Sequence, residues 1–278
     1  MNWHTTFCKF TTGCGLALAL TMATAHAREG VNVGENSVFA KVVPAEQVER
    51  SAQLQYKELL SQADSKRALA PQDNMELQRL RAIARKIIPF AMDWNPRARQ
   101  WQWEVNLIGS NQINAFCMPG GKIVFYSGIL QQLKLTDDEV AMVMGHEIAH
   151  ALREHARERM GKTAATQGIA RLGGALAASF FGIDARITDS IASGGAHLLT
   201  LEFSREDESE ADLVGMELAA RAGFDPRAGV SLWQKMGSAS KGAPPQWLST
   251  HPSGKSRIAE IEANLPKVLP LYERARAR

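Results

Sequence analysis

The chain has 278 residues, of which 45% are hydrophobic, and this suffices for a substantial core in one or two domains. Its 32 basic and 29 acidic residues nearly balance, which argues against nucleic acid as the main partner. Its cysteines are Cys8, Cys14 and Cys117. The first two lie in a segment that we expect to be removed. This leaves no pair for an internal disulfide, and we interpret Cys117 as structural.

Residues 1–27 have the pattern of a cleavable signal peptide. Lys9 gives a weakly positive start, residues 16–20 are an apolar run, and residues 25–27 (Ala-His-Ala) form a small-x-small cleavage site. The apolar run is too short to span a bilayer. The pattern predicts export to the periplasm; the alternatives are an N-terminal membrane anchor and a buried helix.

Two helices and three strands are predicted next. After an extended, exposed leader at 28–44, we expect a single domain at 45–278. Its first helix covers about 45–70, and Asp73 with Glu76 gives a cap-like start to the second. Three further segments alternate or are rich in β-branched and aromatic residues: Trp101 to Ile108, Gln112 to Met118 and Lys122 to Tyr126. They predict a small antiparallel sheet.

The following helix carries the most informative motif. Thr136 and Glu139 form a capping box, and apolar residues then recur at helical spacing without a proline to about Met160. Within it, His146 and His150 lie four positions apart, so both imidazoles can reach one metal ion. Glu147 lies one step round the helix. The pattern is typical of a zinc hydrolase with a glutamate base; the alternative is a helix with two solvated or buried histidines.

A third metal ligand is expected in an acidic segment at 204–212. This segment continues as a helix to Gly223, with Pro226 just beyond. Four acidic residues precede Asp212, and composition does not choose among them. Glu208 and Asp212 share a helix face, so one could bind a metal while the other orients a ligand imidazole. The alternative is a solvated acidic helix start, stabilised by the helix dipole.

The remaining features are ambiguous in sequence. The apolar segment 163–200 is too interrupted by charge to span a membrane, and it could form a buried hairpin or a cover over the site. We interpret His197 and His155 as structural, the latter because five positions after His150 is another helix face. An edge strand of the sheet could bind an extended peptide, or the sheet could merely support the helix.

The chain carries four motifs, in the same order along the sequence, by which it resembles a family of zinc endopeptidases. That family includes the CAAX prenyl proteases, the heat-shock protease HtpX and their soluble periplasmic relatives. The H-E-x-x-H motif of that family is His146 to His150, and its S-R-x-x-E-x-E-A-D motif is Ser204 to Asp212. Its N-A-F-x-x-P-G-G motif is Asn114 to Gly121, and its T-H-P with a following arginine is Thr250 to Pro252 with Arg257. The chain is most similar to the single-domain periplasmic type.

The resemblance implies a mainly helical α+β fold of the zincin-like metalloprotease type, with one Zn²⁺ per chain. It assigns the metal to His146, His150 and Glu208 and suggests that Asp212 orients a ligand. The strand Asn114, Ala115 and Phe116 is expected to bind substrate. Glu147 is the expected general base. His251 is a second candidate catalytic residue: it could stabilise the oxyanion, occupy the fourth metal position, or only cap the helix that follows.

The resemblance and the expected location imply a protease of misfolded or unassembled cell-envelope proteins. Its partners would be these substrates, with peripheral contact to the envelope assembly machinery, while the oligomeric state is left open. Two alternatives remain. One is a chaperone-like binding protein with little proteolysis, and the other is a zinc hydrolase of non-peptide substrates.

Overall fold

The computed structural model describes residues 28–166, 202–239, 245–251 and 255–277. The predicted signal peptide, His197 and most of the apolar segment 163–200 lie outside these ranges. The described helices are α1 (Ala45–Ser65), α2 (Met75–Ile87), α3 (Ser127–Leu133), α4 (Asp137–Leu152), α5 (His155–Thr166), α6 (Arg205–Arg221), α7 (Ala228–Ala239), α8 (Gln246–Thr250) and α9 (Lys255–Arg276). Among them, none is long and apolar enough to cross a membrane.

Helix α4 lies at the centre of the core. The predicted capping box is present: Glu139 N–H donates to Thr136 Oγ1 at 3.3 Å, and Thr136 N–H donates to a Glu139 carboxylate oxygen at 2.8 Å. From Glu139 to Leu152 every residue of the helix is buried. A helix that is buried all round has no solvated face, so its histidines and its glutamate need partners from the surrounding elements.

Helix α6 crosses α4 with the two backbones in contact. It begins at a second capping box, formed by Ser204 and Asp207. Gly145 of α4 and Gly215 of α6 meet at the crossing, where a Cβ on Gly145 would lie 2.5 Å from the Gly215 carbonyl oxygen. Two glycines therefore let the motif helix and the acidic helix approach within side-chain reach of each other.

The sheet has three strands in the order β1-β3-β2, with β1 at Glu104–Ile108, β2 at Ala115–Met118 and β3 at Lys122–Tyr126. Strand β2 pairs antiparallel with β3, but β1 pairs parallel with β3. The expectation of a wholly antiparallel sheet was therefore wrong for one of the two pairings. Alternation of apolar and polar residues predicts that a segment is a strand, but it does not show whether that strand pairs parallel or antiparallel with its neighbour. Strand β2 is an edge of this sheet and packs along α4.

Two predicted boundaries differ from the structure. Helix α1 ends at Ser65, and the cap of α2 is Asn74, whose side chain accepts from Leu77 N–H at 3.0 Å, rather than Asp73. Part of the leader is also buried against the domain. Val31 is buried, and its N–H donates to the buried Glu217 carboxylate at 2.8 Å. The leader thus contributes a backbone partner to a core carboxylate.

Candidate metal centre

Helix α4 brings the two motif histidines together as the four-residue spacing predicts. Their Nε2 atoms are 3.0 Å apart, and both side chains are buried. Two ring nitrogens that face each other at this distance both point at the same small volume. Burial lowers the pKa of His146 to about 4 and that of His150 well below its ordinary value, so both rings are neutral at pH 7. Neutral imidazole is the form that binds a metal.

Glu208 of α6 completes the pair. Its carboxylate oxygens lie 3.6 Å from His146 Nε2 and 3.5 Å from His150 Nε2, and the residue is 1% exposed. Burial raises the pKa of Glu208 to about 9. Its Oε1 atom has no hydrogen-bond partner within the described residues. A buried carboxylate oxygen without a partner is costly unless a cation or another donor satisfies it.

His251 adds a fourth donor from the segment that follows α8. Donor atoms of His146, His150, Glu208 and His251 all lie within 4.8 Å of one another. Like Glu208 Oε1, His251 Nε2 is buried and unpartnered among the residues that the structure describes. Imidazoles together with one carboxylate are the ligands of catalytic zinc sites. The two unpartnered atoms and this donor set fit a Zn²⁺ ion.

Asp212 and Arg257 form hydrogen bonds with the outer atoms of the side chains that make up the metal centre. Asp212 Oδ1 lies 3.1 Å from His146 Nδ1, so that ring donates to it and keeps Nε2 free for the metal. Arg257 of α9 donates to both Asp212 oxygens at 2.6 and 2.7 Å and to Glu208 at 2.5 Å. Burial raises the pKa of Asp212, but Arg257 and His146 outweigh it and bring it to about 2. Asp212 is therefore ionised and accepts from His146 Nδ1–H.

Glu147 is buried beside the donors and is held by Trp247 of α8. Trp247 Nε1–H donates to Glu147 Oε1 at 2.6 Å. Burial raises the pKa of Glu147 to about 8, although the hydrogen bond from Trp247 acts in the opposite direction and lowers it. Sequence analysis missed Trp247, which lies 100 positions away from Glu147. The one signal in the sequence was that Trp247 lies four residues before His251, a spacing that places two side chains on the same helix face.

The neighbours of His251 decide which of its nitrogens is free. Its Nδ1 lies 3.0 Å from the Trp247 carbonyl oxygen, which only accepts, and 2.9 Å from the Thr250 hydroxyl, which can accept or donate. A hydrogen on Nδ1 satisfies both contacts and leaves the lone pair on Nε2. Burial lowers the pKa of His251 well below its ordinary value, which keeps this neutral form at pH 7. The free Nε2 lies 3.7 Å from Glu147 Oε1 and among the metal donors.

The interpretation of His155 as a residue on another helix face was wrong. His155 is 1% exposed, and its Nδ1 lies 2.9 Å from His150 Nδ1. The error came from assuming that one helix continues through both residues. Helix α4 ends at Leu152, and α5 begins at His155 after a change of direction.

A cleft runs from the metal centre along the sheet edge. Glu147, His150 and His251 form one end, and Asn114, Ala115, Phe116, Cys117, Met118 and Pro119 line its side. Phe203 also lines it, with its ring stacked on His150 at 4.0 Å between centroids. The cleft therefore brings together the predicted substrate strand and the predicted base. Burial raises the pKa of the Cys117 thiol well above its ordinary value, which keeps it protonated and unreactive.

Comparison with known proteins agrees with this site. The profile of Peptidase family M48 matches residues 75–265. The chain is 35% identical over 220 residues to the mitochondrial metalloendopeptidase OMA1 of Schizosaccharomyces pombe, covering 78% of this chain and 61% of the relative. It is 37% identical over 183 residues to the Arabidopsis thaliana protein of the same name, covering 63% and 34% of the two chains.

A third relative is the β-barrel assembly-enhancing protease of Escherichia coli, 31% identical over 173 residues, or 59% of this chain and 35% of that protein. The chain thus spans between a third and three-fifths of these relatives. The predicted periplasmic location is contradicted, since the relatives at 35% and 37% identity are named mitochondrial enzymes. That prediction depended on the sequence pattern of residues 1–27. The extent of the profile match and the histidine–glutamate donor set identify the chain as a member of peptidase family M48, the zinc metallopeptidases that it resembles in sequence.

Proposed function

We propose that the protein is a zinc endopeptidase that cleaves unfolded or misassembled protein segments bound in extended form. The observation that carries this proposal is the position of one buried carboxylate, Glu147. It lies beside a four-donor metal centre and at the end of a cleft with an open strand edge. Binding alone would not require a base at this position, so hydrolysis fits the geometry better than a chaperone-like function.

His146, His150 and Glu208 are the proposed protein ligands. Zinc at this position would polarise the scissile carbonyl and lower the pKa of a water molecule to roughly 7. Asp212 fixes His146 in the orientation that directs Nε2 inward, and Arg257 keeps Asp212 and Glu208 in place. Buried hydrogen bonds thus orient His146 and Glu208 toward the proposed metal position.

Glu147 is the proposed general base. A base must be ionised, and burial alone favours its neutral form, with a pKa of about 8. A divalent cation within a few ångströms stabilises the carboxylate and lowers that pKa. Trp247 Nε1–H holds one oxygen at 2.6 Å and leaves the other available to take a proton from water and deliver it to the leaving amine.

His251 is proposed to contact the metal in this conformation. Stabilising an oxyanion requires an N–H at Nε2, but a hydrogen on Nδ1 is the arrangement that satisfies both the Trp247 carbonyl and the Thr250 hydroxyl. The lone pair at Nε2 suits a cation instead. A substrate carbonyl that needs the same position would have to displace His251, so the conformation described here corresponds to a resting enzyme.

Strand β2 is proposed to bind the substrate backbone. Tyr126 N–H donates to the Asn114 carbonyl at 3.1 Å, and antiparallel pairing alternates, so the backbone groups of Ala115 and Cys117 face away from β3. On the same side, the Ile113 carbonyl accepts from Trp247 N–H at 3.1 Å, which joins this edge to α8. Ala115 N–H already donates to the Asn114 side-chain oxygen at 3.0 Å. An extended peptide could pair with the Ala115 carbonyl and the backbone groups of Cys117 without regard to its side chains.

This binding mode favours unstructured polypeptide over small molecules. Folded proteins keep their backbone groups paired, whereas misfolded or unassembled chains expose them. The same reasoning disfavours the alternative of a hydrolase acting on small esters or amides, which would use the zinc but not the strand edge. Contact with an assembly machinery is a further proposal. Its support is the name of the E. coli relative, which describes that relative alone.

The test is digestion of unfolded casein by the zinc-loaded protein, by the protein treated with a chelator, and by the chelated protein after one equivalent of zinc is restored. We expect the zinc-loaded protein to cleave casein, the chelated protein to lose this activity, and the protein with restored zinc to recover it. Cleavage that survives complete removal of metal would refute the proposal. Hydrolysis of small esters without any cleavage of casein would favour the non-peptide alternative. Tight casein binding without cleavage would favour the chaperone-like one.

A further inference from the structure

The outer nitrogen of His150 contacts another histidine. His146 donates from Nδ1 to a carboxylate, Asp212. The Nδ1 of His150 instead lies 2.9 Å from Nδ1 of His155. The two histidines of the motif are therefore held by different chemical groups.

A sharp turn between α4 and α5 makes this contact. In one continuous helix, residues five positions apart point about 140° away from each other. Here Arg153 caps α4, and Glu154 has a φ of +59°, the left-handed region that non-glycine residues rarely adopt. The turn brings His155 back beneath His150. Backbone strain of this kind persists only where the surrounding structure requires it, and at Glu154 it serves to place His155 against His150.

The hydrogens of this contact follow from the groups at its two ends. The Nε2 of His150 faces the other metal donors, so its hydrogen lies on Nδ1. Nδ1 of His155 must then accept, which leaves the hydrogen of His155 on Nε2. That atom lies 3.3 Å from Glu210, a carboxylate that also accepts from Arg153 Nε at 2.8 Å. His155 is 1% exposed, so water does not compete for either nitrogen.

We propose that His155 is a positioning residue: it accepts the Nδ1 hydrogen of His150 and so directs His150 Nε2 toward the metal, while Glu210 fixes the hydrogen of His155. This inference rests on the metal site proposed above. A partner of this kind typically changes metal affinity by about 10- to 100-fold when it is lost.

Two substitutions separate this function from a merely structural one. In His155→Asn, the amide oxygen occupies the position of Nδ1 and can still accept from His150. In His155→Gln, the longer amide reaches the position of Nε2 and keeps only the contact with Glu210. We expect the Asn variant to bind zinc within about threefold of the wild type and the Gln variant to bind about 10- to 100-fold more weakly. Competition with a chelator of known affinity measures both, and the visible spectrum of the cobalt-substituted protein should change in the Gln variant alone.

The opposite order, with zinc affinity retained by Gln and lost by Asn, would overturn the proposal, because the contact with Glu210 would then be the important one. Equal wild-type affinity in both variants would also overturn it. Nitrogen-15 NMR of the histidine rings in zinc-loaded wild-type protein gives a test that needs no variant. We expect a hydrogen on Nδ1 of His150 and none on Nδ1 of His155, and a hydrogen on Nδ1 of His155 would contradict the proposal. A wild-type protein that binds zinc but cleaves no protein would refute the proposed function and leave this inference intact.

Discussion

Replacing Gly145 by alanine should separate the two helices that build the metal centre. The added Cβ would lie 2.5 Å from the Gly215 carbonyl oxygen, about 0.9 Å closer than ordinary contact, and 3.1 Å from two further backbone atoms of that residue. A flexible side chain could move aside, but a helix backbone cannot. Helices α4 and α6 must therefore move apart by several tenths of an ångström or more, and His146 moves with Gly145.

Two effects of opposite sign determine the magnitude. Alanine is favoured over glycine in a helix by about 1 kcal/mol. Overpacking of a buried contact costs about 1–3 kcal/mol, and a backbone-to-backbone clash belongs at the upper end. The net loss of unfolding free energy should be about 2 kcal/mol, which lowers the Tm by about 4–8 °C in a domain of this size. Zinc affinity should fall by about tenfold or more, because displacement of α4 moves two ligands relative to Glu208.

Thermal unfolding and chelator competition measure both effects, and Gly237→Ala is the matched control. Gly237 lies in α7 with no atom within 4 Å of its added Cβ, so the same substitution should raise the Tm by about 2–4 °C and leave zinc binding unchanged. A Gly145→Ala protein as stable as the Gly237→Ala protein, with wild-type zinc affinity, would show that the crossing of α4 and α6 does not require glycine at position 145.

Further predictions concern the site. Without metal the pKa values of Glu208 and Glu147 are about 9 and about 8, so zinc binding at pH 7 should release about two protons and at pH 10 almost none, as calorimetry in buffers of different ionisation enthalpy would detect. For the same reason the apparent zinc affinity should rise from pH 7 to pH 9, and a flat profile would contradict the assignment. Glu208→Ala should lower bound zinc, and unchanged metal content would move the ligand elsewhere. His251→Ala should weaken zinc binding but not peptide hydrolysis, whereas an oxyanion donor would lose about 10²–10³ in kcat. N-methylation of a substrate peptide at alternate residues should raise KM with little change in kcat if β2 pairs with its backbone, and equal KM values would argue against that pairing.

Helical periodicity was sufficient to place His146, Glu147 and His150 correctly, because a capped helix without proline leaves little freedom in how they face. The choice of Glu208 among neighbouring acidic residues came from family resemblance alone. Composition could not supply it, because which carboxylate points inward depends on how α6 crosses α4. That crossing is determined by the contact of Gly145 and Gly215, which lie in different helices.

The residues that sequence analysis missed or misjudged depend on contacts across the fold. Trp247 reaches Glu147 from a segment 100 positions later, and no local pattern connects the two. His155 was misjudged because the helix break at Glu154 has neither glycine nor proline to mark it. The direction of the β1–β3 pairing is likewise invisible in alternation, which reports only which residues share a face.

The most direct test of zinc endopeptidase activity is a comparison of wild type and Glu147→Gln in which bound zinc and cleavage of unfolded casein are measured on the same samples. Glutamine keeps the shape and the acceptor for Trp247 Nε1–H, but it cannot take a proton. We expect one zinc per chain in both proteins and a loss of cleavage of about 10²–10⁴-fold in the variant. A variant that retains its zinc and cleaves casein at the wild-type rate would contradict this expectation.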